Sequence, residues 1–125
     1  MKRKKILIVE DETHLLKLET VLLAAKGYQV MGVGDGLEAL GAIKEFRPDL
    51  VLLDIMLPGI DGFEVCRRIR GDSETRAIPV VMLTAKGSSA DFCRGKEAGA
   101  DRYLTKPFKT SAVVEAVQNC LAVGA

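Results

Sequence analysis

Four short strand-like runs of this chain are each followed within two positions by residues that could hold or transfer charged groups. These residues are Glu10 with Asp11, Asp54, Thr84 and Lys106. Carboxylates brought close together repel one another, and a cation between them removes that penalty. A carboxylate beside a metal ion and an ammonium group can act as a nucleophile toward phosphorus. This set of residue types therefore predicts a site for phosphoryl transfer.

Mg²⁺ suits such a site because it takes oxygen ligands and needs only one or two carboxylates. We expect Asp11 and Asp54 to be direct ligands, and Glu10 to reach a bound water, with Mn²⁺ as the alternative ion. Lys106 is a compact charge that suits a phosphate or a carboxylate, so it would neutralise charge on the transferring group. The Thr84 hydroxyl could donate a hydrogen bond to a phosphoryl oxygen.

Short apolar runs alternate with segments of helical spacing along the whole chain. The runs predict strands at Lys5–Val9, Gln29–Val33, Leu50–Leu53, Val80–Leu83 and Arg102–Leu104. An acidic residue stands three positions before a glutamate at Asp35 and at Asp61, which indicates capped helix starts. Asp11 is a candidate cap for the first helix. The fourth helix, from about Ser88 to Ala98, is the weakest because it contains Gly95.

Each helical segment has apolar residues at a spacing that predicts an inward face. These faces are Leu15, Leu18, Leu22 and Ala25; Leu37, Leu40 and Ile43; Phe63, Cys66 and Ile69; Ala90, Cys93 and Ala98; and Val113, Val117, Cys120 and Leu121. Five apolar strands alternating with five helices predict an α/β fold, a doubly wound five-stranded parallel sheet covered on both faces. In such sheets ligands bind at the carboxyl ends of the strands, which is where the polar residues stand.

Composition narrows the class of protein. The chain has 125 residues, which we interpret as one domain over 1–125. The net charge of +1 gives no reason to expect nucleic acid as a partner. No segment is long and apolar enough to span a membrane or act as a signal peptide. The three cysteines have no metal or redox spacing, which indicates reduced thiols and a cytoplasmic location.

Four segments in order resemble the receiver domains of two-component response regulators. They are Ile8–Glu12, Leu53–Gly62, Val81–Ala85 and Gly99–Phe108. The resemblance covers essentially the whole chain and implies the flavodoxin-like (βα)5 fold. It also implies a phosphorelay, in which a histidine kinase or histidine phosphotransfer protein supplies the phosphoryl group in a Mg²⁺-dependent reaction.

The same resemblance implies a role for individual residues. Asp54 would be the phosphoacceptor, Glu10 and Asp11 the acidic pair, and the Met56 backbone carbonyl a further metal ligand. Thr84 and Tyr103 would be the switch residues, and Lys106 would contact the phosphoryl group. The backbone of Met56 and Ala85 would also contact that group, and a cis peptide is implied before Pro107. Met56 and Lys86 would tune the lifetime of the phosphorylated state.

Two other classes of function fit the residues less well. A flavodoxin-like cofactor binder would have a Gly- or Ser/Thr-rich phosphate loop after the first strand, where this chain has acids. A pseudo-receiver that only binds partners would have lost Asp54, Thr84 or Lys106, and all three are present.

The sequence leaves the output open. We expect a signalling phosphoacceptor with intrinsic self-phosphorylation and slow self-dephosphorylation, not an enzyme. It is either a single-domain regulator or the receiver part of a longer chain. After Lys109 the fifth helix has no Lys or Arg, and Asp101 is followed by Arg102. The ion pairs of the dimer common among winged-helix relatives are therefore missing, which favours a monomer or another, weak dimer.

Overall fold

The computed structural model describes residues 3–84, 89–106 and 109–123, and describes Ser89, Ala90 and Val123 by their backbone alone. Ala85, Lys86, Ser88 and Pro107, which the sequence singled out, lie outside the described residues.

The described chain contains one sheet of five parallel strands, in the order β2-β1-β3-β4-β5. The strands are β1 Lys5–Val9, β2 Gln29–Val33, β3 Leu50–Asp54, β4 Val80–Thr84 and β5 Arg102–Thr105. The predicted doubly wound α/β fold is confirmed. The last three strands each continue one residue further than the apolar pattern indicated. Asp54 and Thr84 are therefore the final residues of their strands.

Five helices alternate with the strands. They are α1 Thr13–Ala25, α2 Gly36–Phe46, α3 Gly62–Gly71, α4 Ser89–Ala98 and α5 Thr110–Val123. Among the described residues, no helix has the length and apolar character needed to cross a bilayer.

Three helices begin at acidic caps that accept backbone N–H groups. Asp35 accepts from Glu38 N at 2.7 Å, and Asp61 accepts from Glu64 N at 3.0 Å, as predicted. The expectation that Asp11 caps α1 is wrong, because the cap is Glu12. The longer Glu12 side chain accepts from the backbone N–H groups of residues 14 and 15. Asp11 is therefore left free of this role, at the rim of the sheet.

The core lies in two layers, one on each face of the sheet. Alternate strand residues point to opposite faces. Leu7, Val9, Val51 and Met82 pack with α2, α3 and α4, whereas their neighbours pack with α1 and α5. Helices α3 and α5 turn their predicted apolar faces inward. On α2, Leu37 is exposed while the rest of that predicted face is buried or packed against the core.

The predicted inward face of α1 is only partly correct, because Leu22 packs against the core but the helix is turned by part of a turn from the predicted orientation. Leu18 is 50% exposed and Ala25 is also exposed, whereas Leu16, Glu19 and Leu23 face the sheet. The helix has apolar residues on several sides, so spacing alone could not identify the buried side. The observed orientation of α1 places the carboxyl group of Glu19 in an apolar layer of the core.

On α4 the predicted face is only partly correct. Ala98 is buried, but Cys93 is exposed and buried Gly95 takes the central position of the inward face. The side chain of Ala90 is outside the described part of the chain.

Candidate phosphoacceptor site

Glu10 and Asp54 form the buried floor of the site, at the carboxyl ends of adjacent strands. Glu10 directly follows β1 and is 2% exposed; Asp54 ends β3 and is 4% exposed. Backbone N–H groups fix both carboxylates, because Glu10 Oε2 accepts from Glu12 N at 3.2 Å and Asp54 Oδ1 accepts from Met56 N at 3.1 Å. Strand pairing between β1 and β3 holds the two acids side by side.

The chain folds back tightly under Asp54. Gly62 N donates to Ile55 O at 2.9 Å, and a Cβ at residue 62 would lie 2.5 Å from Asp54 O. Only glycine fits this approach between the start of α3 and the end of β3. Gly59 turns the intervening loop with a φ of 79°. The loop leaves the Met56 side chain at the rim, 55% exposed.

Lys106 joins the two carboxylates. Its Nζ lies 3.2 Å from Glu10 Oε1 and 3.2 Å from Asp54 Oδ2. Its backbone N–H donates to Thr84 O at 2.6 Å, which fixes the chain where β5 ends. One ammonium group therefore neutralises part of the charge of two buried acids, with both pairs at hydrogen-bond distance.

Burial and neighbouring charges shift the pKa values of Glu10 and Lys106. Burial raises the pKa of Glu10 above its usual value, and the neighbouring Asp54 carboxylate raises it further. Burial alone would lower the pKa of Lys106, but Asp54 and Glu10 outweigh burial and hold that pKa above its usual value. Lys106 is therefore charged at neutral pH, and the site gains from further positive charge.

The acidic side chains fit a hard divalent cation. One carboxylate oxygen from each of Glu10, Asp11 and Asp54 lies within 4.8 Å of the others. The donors are all oxygens, and exposed Asp11 opens the cluster to solvent. Mg²⁺ prefers this kind of ligand and retains several waters at an open site.

The structure brings together some, but not all, of the predicted residues. Glu10, Asp11, Asp54 and Lys106 converge at one end of the sheet. Thr84 is fully buried at the end of β4, next to β3 and paired in register with Thr105. Tyr103 lies one strand further away and packs against α4. The predicted contacts of Ala85, Lys86 and Pro107 lie outside the described residues.

Sequence reasoning missed two features near the site. Glu19 is a buried acid that lies beneath the cluster. The sequence did not indicate its burial, because α1 is rich in leucine and an acidic residue in such a helix is expected to face solvent. Arg70 was also missed, although it ties α3 to the end of α4. Its guanidinium donates to the carbonyl oxygens of Gly99 and Ile78 and to Asp101 Oδ2, at 2.9, 2.6 and 2.8 Å. Arg70 stands in the last turn of α3, where an arginine is expected to be exposed, so the sequence did not indicate these contacts.

A doubly wound sheet with an acid pair, a hydroxyl and a lysine at its carboxyl edge defines a receiver domain of two-component signalling. The chain belongs to the response regulator receiver domain family, whose model it matches over residues 6–118.

Curated proteins with similar sequences are also response regulators. The DNA-binding response regulator MtrA of Mycobacterium tuberculosis H37Rv is 47% identical over 116 residues, 93% of this chain and 50% of MtrA. The DNA-binding dual master transcriptional regulator RpaA of Synechocystis is 42% identical over 117 residues, 94% of this chain and 48% of RpaA. The chain thus spans about half the length of these curated relatives.

Solved structures share the whole fold. A putative response regulator from Chloroflexus aurantiacus superposes with a TM-score of 0.92 at 40% identity, covering 97% of this chain and 99% of the other. The receiver domain of the sensor histidine kinase PA1611 from Pseudomonas aeruginosa gives 0.89 at 32% identity, covering 97% and 99%. That structure has a magnesium ion coordinated in its active site cleft.

Proposed function

We propose that Asp54 accepts a phosphoryl group from a histidine kinase or a histidine phosphotransfer protein. The observation that carries this proposal is the ammonium group of Lys106, 3.2 Å from buried carboxylates on two neighbouring strands. Such a site attracts an anionic phosphoryl group to a carboxylate that can attack it. A module that only binds partners has no need of this arrangement of buried charge.

The transfer is a displacement at phosphorus. An Asp54 carboxylate oxygen forms a bond to phosphorus as the bond from phosphorus to the donor imidazole nitrogen breaks, and the electron pair stays with the imidazole. With acetyl phosphate, acetate leaves instead, which would be self-phosphorylation. Lys106 stabilises the negative charge on the phosphoryl oxygens. Mg²⁺ held by Asp11, Asp54 and the Met56 carbonyl, with Glu10 on a bound water, would supply further positive charge, and Mn²⁺ is an alternative ion.

We further propose that the domain switches between two conformations when it is phosphorylated. The Thr84 hydroxyl moves to donate to a phosphoryl oxygen, alongside the backbone N–H groups of Met56 and Ala85. The ring of Tyr103 then turns in to occupy the space beside it. A partner that binds one conformation better than the other would read the signal.

The partners follow from family membership. We propose that the phosphodonor and the output protein or domain meet this chain in the cytoplasm, and that the domain over 1–125 does not itself bind nucleic acid. Asp101 supports a monomer or a weak dimer, because Arg70 and the Val80 N–H already engage its Oδ2, each at 2.8 Å. An intermolecular ion pair at Asp101 would compete with both bonds.

The experiment that tests the phosphoacceptor role reads intact mass after incubation with acetyl phosphate and Mg²⁺. We expect one added phosphoryl group, lost in EDTA and absent from Asp54→Ala. Asp49→Ala is the matched control, since Asp49 lies at the opposite end of β3 and should leave uptake unchanged. Normal uptake by Asp54→Ala, or uptake that ignores EDTA, would show that the assignment is wrong.

A second prediction concerns the lifetime of the phosphorylated state. Hydrolysis needs a water opposite the Asp54 oxygen, and we propose that Met56 and Lys86 flank its path. The thioether of Met56 cannot orient a water, and a lysine stabilises the ground state as well as the transition state. Met56→Asn with Lys86→Glu supplies water-orienting groups, so phosphate loss after donor removal should quicken at least tenfold, up to the roughly hundredfold at the lower end of general acid–base catalysis.

The matched control for the lifetime experiment is Leu37→Asn with Lys44→Glu. This pair makes the same type of changes on exposed positions of α2 and should leave the decay rate unchanged. Equal decay of the Met56/Lys86 variant and the parent would show that these side chains do not control the lifetime.

A further inference from the structure

Helix α2 begins directly against the acceptor loop, residues 55–61, which connects Asp54 to α3. Gly36 is the first residue of α2 and is buried. A Cβ there would lie 2.5 Å from both Cγ1 and the carbonyl oxygen of Ile60, and 3.1 Å from Cγ2 of Val65. One of the closest neighbours is a backbone atom, so it cannot give way unless the loop itself moves. Any side chain at residue 36 therefore displaces either α2 or the acceptor loop.

Helix α2 is held more firmly than the acceptor loop. Ala39 and Ile43 are buried in the core layer beneath α2, and the Asp35 carboxylate caps its first turn. The acceptor loop, in contrast, has exposed residues at Met56, Pro58 and Gly59. A methyl group at residue 36 therefore moves the loop and not the helix.

The acceptor loop sets the geometry around the Asp54 carboxylate. Met56 N donates to Asp54 Oδ1 at 3.1 Å, which orients that carboxylate. Leu57 N donates to Ile55 O at 3.0 Å, so the backbone turns tightly around Met56. A displacement of Ile60 is passed through this tight turn to Met56 and to the orientation of Asp54.

We infer that Gly36 is a positioning residue for the acceptor loop, and that it sets the preference of the site for Mg²⁺ over larger divalent cations. The inference rests on the proposed function, in which the Met56 carbonyl and the Asp54 carboxylate hold the ion. Mg²⁺ requires near-ideal octahedral geometry, whereas Ca²⁺ accepts flexible arrangements of its ligands. A displaced loop therefore weakens the binding of Mg²⁺ more than that of Ca²⁺.

Two nearby glycines provide matched controls. Gly34 lies two residues before Gly36, and Gly41 lies inside the same helix. Within the described part of the chain, a Cβ at either position would have no heavy atom within 4 Å. None of the three alanine substitutions changes a charge, so the carboxylates attract a cation equally in every variant. A difference between Gly36→Ala and the controls therefore reports on the contact with Ile60.

Calorimetric titration with Mg²⁺ and with Ca²⁺ measures the two affinities separately. We expect Gly36→Ala to bind Mg²⁺ roughly tenfold more weakly, the lower end of the loss when an outer support of a metal ligand is removed, and to bind Ca²⁺ within about twofold of the parent. Gly34→Ala and Gly41→Ala should match the parent with both ions. Equal losses for the two ions, or no loss for either, would overturn the inference.

The amide signal of Met56 reports on the acceptor loop in the absence of any metal ion. Selective ¹⁵N labelling of methionine suits this measurement, because the chain has four methionines, and Met31 and Met82 lie within strands as internal references. In EDTA, we expect Gly36→Ala to shift the Met56 signal by more than it shifts the Met82 signal. A Met56 signal that stays in place would contradict a displacement of the loop.

Ile60→Ala tests the same contact by removing atoms, so it carries the test even where Gly36→Ala is too unstable to fold. The loop then loses its support from α2, and Mg²⁺ binding should weaken more than Ca²⁺ binding. Ile78→Ala is the matched control, because Ile78 is a half-buried isoleucine on the same core layer, next to the opposite end of the sheet. If Ile60→Ala keeps the parent's ratio of affinities, this contact does not position the loop.

A parent chain that binds no Mg²⁺ and takes up no phosphoryl group would contradict the phosphoacceptor site itself. The Met56 signal in EDTA depends on neither ligand, so it tests the position of the acceptor loop separately.

Discussion

Glu19→Met is expected to raise the free energy of unfolding at pH 8.5 by a few kcal/mol. Glu19 is 1% exposed, and neither of its carboxylate oxygens has a hydrogen-bond partner in the described part of the chain. A buried polar group without a partner destabilises the folded state. Methionine has a similar length and no polar group to desolvate. Urea unfolding with EDTA present measures the gain without interference from metal binding.

The pH dependence gives the sharper test. Burial raises the pKa of Glu19 from 4.5 to about 8, and the like charge of Glu10 adds to the shift while Lys106 opposes it. Between these pH values the folded chain holds a proton that the unfolded chain has released. The parent must therefore lose stability as pH rises from about 4.5 to about 8. A shift of this size corresponds to a few kcal/mol.

Glu19→Gln separates charge from polarity. It removes the titration of Glu19 but keeps a polar end, so it should reduce this loss of stability with pH to the part that Glu10 contributes. It should also gain less stability than Glu19→Met at pH 5. Glu115→Gln, on the exposed side of α5, should keep the full pH dependence of the parent. If Glu19→Gln has the same pH profile as Glu115→Gln, the Glu19 carboxyl is not the titrating group.

The three central strands, β1, β3 and β4, were predictable because each is a nearly uninterrupted apolar run. The edge strands β2 and β5 contain polar residues, and the alternation with helical segments indicated them. The final residues of β3 and β4 were not predictable, because Asp54 and Thr84 are polar and still pair within the sheet. The position of the site was predictable for a related reason. Parallel strands bring their carboxyl ends to one edge, so polar residues that end several apolar runs must meet.

The orientation of α1 could not be predicted from spacing. Leucines occur on several sides of this helix, and turning it by part of a turn exposes Leu18 and buries Glu19. The spacing of apolar residues would not place a carboxyl group on the inward face, since acidic residues are rarely buried unless a partner group pairs with them. Packing against the sheet and α5 decided the orientation, and that information is not local to the helix.

The packing of the Tyr103 ring against Gly95 of α4 depends on tertiary structure to an even greater extent. In the sequence, Gly95 reads as a weak point of a marginal helix. In the structure the ring of Tyr103 occupies the space that a side chain at residue 95 would fill. Arg70 is similar, because its partners lie six to thirty-one residues away and become neighbours only when α3 packs beside α4.

Lys106→Met is expected to slow phosphorylation by acetyl phosphate roughly a hundredfold, the usual effect of removing one group that stabilises a developing anion. It should also tighten Mg²⁺ binding, roughly tenfold, which is a separate measurement. Among the residues that the structure describes, Lys106 is the cation that contacts Glu10 and Asp54. Its ammonium group therefore competes with a metal ion for the oxygens of these two carboxylates. Removing it leaves the acids to repel each other, so the site gains more from Mg²⁺.

Calorimetric titration with Mg²⁺ and the rate of mass gain together test both effects of Lys106. Lys109→Met is the matched control, because Lys109 is an exposed lysine three residues further on that leads into α5. It should change neither the rate nor the Mg²⁺ affinity. Opposite changes in affinity and rate identify Lys106 as a group that acts on the phosphoryl oxygens. If Lys106→Met weakened Mg²⁺ binding and rate together, the lysine would be needed to hold the acids in place, and its assignment to phosphoryl contact would be wrong.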